Sequence, residues 1–211
     1  MESHLAHQNR VDPFGKLHAI SARGALMGNR GILHNGSQEV VHTHRHPNWV
    51  ACALTYKDRH REIMQPGKYT ELFFLDEATA FAAGHRPCAT CRRASYTEFC
   101  KLWKQVHGDA QSGSSLPQTI DKTLHKARIT RQREKVTYDA QISELTDGVF
   151  FTQFEAAFLI WQGRIWRWSF DGYAPYTFPN SEIVRVLTPQ PIVDVFRAGY
   201  LPEVHTSATA A

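Results

Sequence analysis

The stretch from Tyr69 to Arg93, YTELFFLDEATAFAAGHRPCATCRR, constrains the fold more than any other, because it joins a short helix to a closely spaced cysteine pair. Asp76 is suited to start the helix, since its carboxylate accepts from the first free backbone N–H groups. Ala78, Ala80, Ala82 and Ala83 favour the helical state, and Gly84 supplies the left-handed residue that commonly ends it. Pro87 forbids further helix and sets Cys88 on a tight turn with Cys91. Two thiolates on such a knuckle can face one ion, which is why C-x-x-C recurs in tetrahedral zinc sites. A thioredoxin-type redox pair would open a helix after a strand, whereas this pair follows a helix and a Gly-His-Arg-Pro turn. Two unliganded cysteines packed as small hydrophobes are the remaining alternative.

A chain of 211 residues with 42% hydrophobic content suits one large domain or two small ones, each able to bury a core. It has no apolar run of the length that spans a bilayer, about 18 residues, and MESHLAHQNR lacks the apolar segment of a secretory signal. Four cysteines in that setting point to a reducing, cytoplasmic compartment in which thiols bind metal rather than pair. The formal charge of +4 permits a polyanionic partner without demanding one.

Upstream of the knuckle, the glycines of Met27-Gly28-Asn29-Arg30-Gly31 let the backbone approach a ligand, and Arg30 can fork onto a phosphate or carboxylate; a turn with a solvated arginine is the plainer reading. His42, His44 and His46 alternate, so a strand there would set them on one face, as metal ligands or as a solvent-facing edge. Trp49 to Tyr56 reads as a strand carrying Cys52, followed by a charged hairpin connection through Asp58, Arg59, His60 and Arg61. After the knuckle, Ser95-x-x-Glu98 has the pattern of a capping box opening an aromatic-faced helix that ends at Gly108.

These signals predict an α+β protein: an N-terminal zinc-knuckle subdomain over 1–108, a small polar linker at 109–117, a β-rich subdomain over 118–205 that begins with a basic helix, and a disordered tail at 206–211. The basic helix carries Lys122, Lys126 and Arg128, either as a solvated face or as a contact for nucleic acid. Beyond it, Gln162-Gly163 predicts a tight hairpin between two apolar strands, and Thr188-Pro189 opens a last helix that closes at Gly199.

The segment Ala82-Ala83-Gly84-His85-Arg86-Pro87-Cys88-x-x-Cys91, with the Phe73–Ala83 run before it, resembles the second half of the Ada-type metal-binding module of bacterial methylphosphotriester repair proteins. That resemblance implies that Cys88 and Cys91 bind zinc and that Arg86, Arg92 and Arg93 face DNA phosphates. The module also supplies an upstream cysteine pair, one member of which accepts the methyl group. This chain offers only Cys52 there, leaving His46, His60, His85 or Cys100 as the fourth ligand. The whole chain is also similar to a widespread group of bacterial proteins sharing GNRG-x-L-H and T-E-L-F-F-L-D-E stretches, a resemblance that carries no activity with it.

Three functions follow from this reading. The first is a zinc protein that binds nucleic acid, DNA before RNA and damaged or modified DNA as its target, using Arg30, Arg86, Arg92, Arg93, Lys126 and Arg128. Its metal ligands are Cys52, Cys88, Cys91 and His85. The second is a metal-assisted hydrolase of phosphodiester or glycosidic bonds. His85, Glu77 and His34 are its candidate catalytic groups, with Glu71, Asp76 and Asn29 nearby in sequence. The third is a zinc-stabilised protein-interaction module.

Overall fold

A computed structural model describes residues 6–57, 62–179 and 181–209, so the predicted Asp58–Arg61 connection, with the candidate ligand His60, lies outside the described residues. The architecture is α+β, as predicted. The first sheet contains β1 (Gln8–Val11), β2 (Leu17–Ala19), β3 (Leu26–Asn29), β4 (Val50–Ala53), β5 (Leu72–Phe74) and β6 (Arg86–Pro87), in the order β2-β1-β5-β3-β4-β6. Its β1–β5 and β4–β6 pairs are parallel and the rest antiparallel.

The second sheet is antiparallel throughout. It contains β7 (Tyr138–Gln141), β8 (Phe150–Gln153), β9 (Ala156–Trp161), β10 (Arg164–Ser169), β11 (Gly172–Tyr176) and β12 (Ile183–Val186), in the order β11-β10-β9-β8-β12-β7. Gln162 and Gly163 both take positive φ, 53° and 67°, the two-residue turn whose twist matches paired strands.

Between the sheets runs α1 (Glu77–Ala82), all six of whose residues are buried. Asp76 caps it as expected, its Oδ1 accepting from the Thr79 N–H at 2.8 Å. The alanines explain how so short a helix serves two sheets, because a methyl side chain lets backbones approach closely. Ala80 and Ala83 pack with Leu26, Leu72 and Phe74 of the first sheet, while Ala78 and Ala82 pack with Phe150, Leu159 and Trp166 of the second. Phe81 enters a third cluster with α2 (Arg93–His107), α3 (Leu116–Arg128) and α4 (Gln190–Arg197). That cluster joins Phe99 and Trp103, before the 109–117 stretch, to Ile120 and Ile192 after it.

Two local expectations fail. Helix α2 begins at Arg93, so Ser95 lies inside its first turn and caps nothing. The cause is the knuckle, whose last turn, closed by Arg92 N–H to Cys88 O, runs straight into the helix. The segment holding His42, His44 and His46 forms no strand. It folds back over residues 30–33 through Val41 N–H to Leu33 O and Arg45 N–H to Arg30 O, and the alternation is lost.

Candidate metal centre

Sheet register assembles the cysteines. The parallel pair β4–β6 sets Val50 beside Arg86 and Ala51 beside Pro87, which brings Cys52 abreast of Cys88. The Cys88 N–H continues the ladder to Ala51 O at 2.9 Å. Side chains alternate along a strand, so Ala51 faces inward with the first-sheet core while Cys52 points to the outer face. The knuckle then returns Cys91, and the sulfur atoms of Cys52, Cys88 and Cys91 all lie within 4.8 Å of one another. Zinc–sulfur bonds of about 2.3 Å in tetrahedral geometry separate sulfurs by about 3.8 Å, so this spacing suits one ion.

Backbone donors orient the sulfurs. The Ala53 N–H donates to Cys91 Sγ at 3.4 Å and the Thr90 N–H to Cys88 Sγ at 3.5 Å. Such bonds favour the thiolate and fix its direction, as outer-shell donors do in metal sites. The Cys88 thiol is pulled down to about 4, first by a hydrogen bond from Cys52 and then by the backbone N–H groups of Cys91 and Thr90, against the opposing effect of burial. Cys52, on the donating side, is pushed up by that same bond and by burial, and burial raises Cys91. Thiols that share protons in this way release them together to a metal ion.

The sulfurs are not sealed in. They line a cavity of about 380 Å³ on the outer face of the first sheet, together with Met27, Phe73, Tyr56 and Glu71. Register explains its floor, because Phe73, Met27 and Cys52 pair across β5, β3 and β4 in one row. Glu71 is buried at the edge of β5 and its Oε2 accepts from the Met64 N–H at 2.9 Å. Among the described residues no histidine or carboxylate joins the three sulfurs within that spacing.

The other predicted site residues are placed elsewhere. His85 is fully buried away from the sulfurs, its ring 4.6 Å from that of Phe74 and 5.3 Å from that of Trp49, and its Nε2 accepts from Arg30 at 3.2 Å. Burial and the neighbouring Arg30 and Arg128 hold it neutral, far below its ordinary value. His46 and Cys100 also stand outside the cluster. His34 is buried between Thr70 Oγ1, 2.6 Å away, and Gln65 O, 3.2 Å away. Asp76 and Glu77 latch the C-terminal segment: Asp76 accepts from the Tyr173 hydroxyl and the His205 N–H, and Glu77 from the Tyr200 hydroxyl and the Glu203 N–H.

Most of the arginines expected to meet phosphates are also internal. Arg86 forks onto both oxygens of Asp121 at 2.7 Å, and Arg92 bonds Glu77 at 2.5 Å. Arg30 and Arg128 are each 2% exposed. Only Arg93 and Lys126 of the six stand exposed to solvent. A buried guanidinium whose charge is already met by a carboxylate is not turned toward a phosphate outside, and the sequence gives no sign of that pairing, since Arg86 and Asp121 are 35 positions apart.

The C-x-x-C pair turns out to stand between a short strand, β6, and a helix, α2. The third sulfur, rather than the position of the pair, therefore separates a metal centre from a redox pair. Cys52, Cys88 and Cys91 form a three-cysteine cluster able to hold a metal ion. No protein-family model, curated protein or solved structure matches the chain.

Proposed function

We propose that this chain is a zinc protein whose three-thiolate centre works on a substrate, a metal-assisted hydrolase of the phosphodiester or glycosidic class. One observation carries the reading: the three sulfurs line a cavity of about 380 Å³ instead of being enclosed by a fourth described ligand. Closed four-ligand sites hold folds together, whereas three protein ligands beside an open cleft are the arrangement of catalytic zinc. Zinc bound there would supply Lewis-acid activation of a water molecule. Glu71, in the same cavity, is the residue suited to take that water's proton, and Phe73, Met27 and Tyr56 form a surface on which a sugar or base ring can lie. His85, Glu77 and His34, each tied into the interior, have no part in this step.

Purified protein should hold one equivalent of zinc, and Cys88→Ser should lose it. Cobalt substitution should give thiolate charge-transfer bands that shift when azide is added, as an open coordination position requires. Glu71→Gln should keep the metal and lower turnover of bis-nitrophenyl phosphate or a nitrophenyl glycoside by about 10²–10⁴. Metal retention with azide-insensitive spectra and no turnover would sink the enzyme reading.

A nucleic-acid-binding zinc module is the second reading. It is supported by the exposure of Arg93 immediately beyond the knuckle and by the Ada-type resemblance over residues 73–93. DNA as the partner, with repair as the purpose, belongs to this reading, and its test is an affinity that falls steeply with salt.

A further inference from the structure

On the inner side of the first sheet, behind the cysteine row, lies a second cavity of about 760 Å³. Its floor is a stack of three groups, with the Trp49 ring carrying the guanidinium of Arg30 at 4.2 Å and that of Arg128 at 4.0 Å from its centroid. Lys135, half-buried as a residue, turns its ammonium inward to the Ala82 carbonyl. Gly84 makes room for the stack: its φ is +85°, and a Cβ there would stand 2.5 Å from Arg128 Cδ.

What sets these cations apart is that, among the described residues, none of them has a carboxylate in contact. Arg30 donates to Gly15 O at 2.9 Å and to His85, and Arg128 donates to Gly84 O at 2.7 Å and to Pro47 O. Among the described residues neither arginine, nor Lys135, forms a salt bridge. Of the acids around the cleft, Asp12 pairs with His18 and Asp121 with Arg86, while the exposed Glu134 lines the cleft without an ion pair to any of the three cations. Arg30 Nη2 and Arg128 Nε are buried with no partner among the described residues. Burial lowers both guanidiniums to about 9 and the Lys135 ammonium to about 7, opposed for Arg30 and Lys135 by Asp12 and for Arg128 by Asp121. Unpaired buried charge is among the most unfavourable arrangements a fold can hold, and it is removed when an anion arrives.

We infer that this cleft binds an organic oxyanion, a carboxylate or phosphate whose head is gripped by Arg30, Arg128 and Lys135 and whose apolar body lies against Phe14, Leu17 and Val41. The volume falls in the range of small-molecule sites, about 300–1,000 Å³. Guanidinium forks take carboxylate and phosphate oxygens with the same two-pronged geometry, so the head group is defined as far as an oxyanion. The site shares no residue with the cysteine cavity and is independent of the metal reading.

Calorimetric titration of the full chain in chloride buffer with inorganic phosphate, adenosine monophosphate and succinate tests the inference. One-to-one saturable binding of at least one of them is expected. Phosphate and the nucleotide binding without succinate would identify a phosphate head, and succinate alone a carboxylate head. Lys135→Met, at a half-buried position, should keep the circular dichroism of the wild type and weaken binding about tenfold or more. No saturable uptake of any of the three, or equal uptake by wild type and Lys135→Met, overturns the inference.

Discussion

Two pairs of buried arginines behave in opposite ways. Arg86 and Arg92 meet Asp121 and Glu77 through short charged bonds, and each ties α2 or α3 to the centre of the molecule. Arg30 and Arg128, equally hidden, meet carbonyls, histidines and the faces of Trp49. The paired arginines have carboxylates that answer their charge, even though Arg92 Nη2 makes no hydrogen bond, and removing a partner abandons a buried charge. The unpaired ones are incomplete, and a fold retains that state where a ligand finishes it. Burial alone therefore says little about what an arginine is for; its partner decides.

The sharpest way to break the comparison is Glu77→Gln, which strands Arg92 in the interior and weakens the bonds to Tyr200 and Glu203. Urea denaturation should register a loss of about 3–5 kcal/mol, the usual result of removing one member of a buried ion pair. Arg30→Met should change stability by less than about 1.5 kcal/mol in either direction, because no carboxylate is abandoned and an unpaired charge is removed. A loss as large as that of Glu77→Gln would erase the distinction between the two pairs.

Smaller again is the pH signature of Lys135. Its folded value lies near 7 against the ordinary 10.5, so between these pH values the unfolded chain holds a proton that the folded chain has released. Stability contributed by this group rises with pH across that window and is flat below it. Lys135→Met should abolish this rise, read as denaturation midpoints at pH 6.5, 8 and 9.5, and an unaltered pH profile would place the ammonium in water. Smallest is Arg93→Ala with Lys126→Ala, both exposed. Stability should move by less than about 0.5 kcal/mol, while any DNA affinity should lose about one unit of salt slope per residue.

Local chemistry carried its message in the sequence where neighbours in the chain are neighbours in space. Asp76 at its cap, the left-handed Gly84 and the Gln162-Gly163 hairpin depend on backbone a few residues away, and all three stand as read. Cys88 and Cys91 were legible for the same reason. Cys52 joins them through the β4–β6 register, a contact 36 positions long that no local pattern encodes, although its isolation on an apolar strand marked it as a candidate. The cation cleft was the least legible. Arg30, Trp49, Arg128 and Lys135 come from separate loops and a helix end, and a basic run around residue 128 reads as a solvated face until its inward turn is seen. His85 misled because it is adjacent to the knuckle in sequence while its side chain belongs to the opposite face of the sheet.

The six residues of α1 leave the protein without a seam. With every side of that helix occupied, neither sheet can be stripped away without baring the other's interior, so cutting the chain in the 109–117 stretch should leave two sticky, unstructured halves. Melting is accordingly expected as one all-or-none event. Both cavities rest against material that touches α1, so the molecule is a single casting in which pocket and scaffold soften at the same temperature.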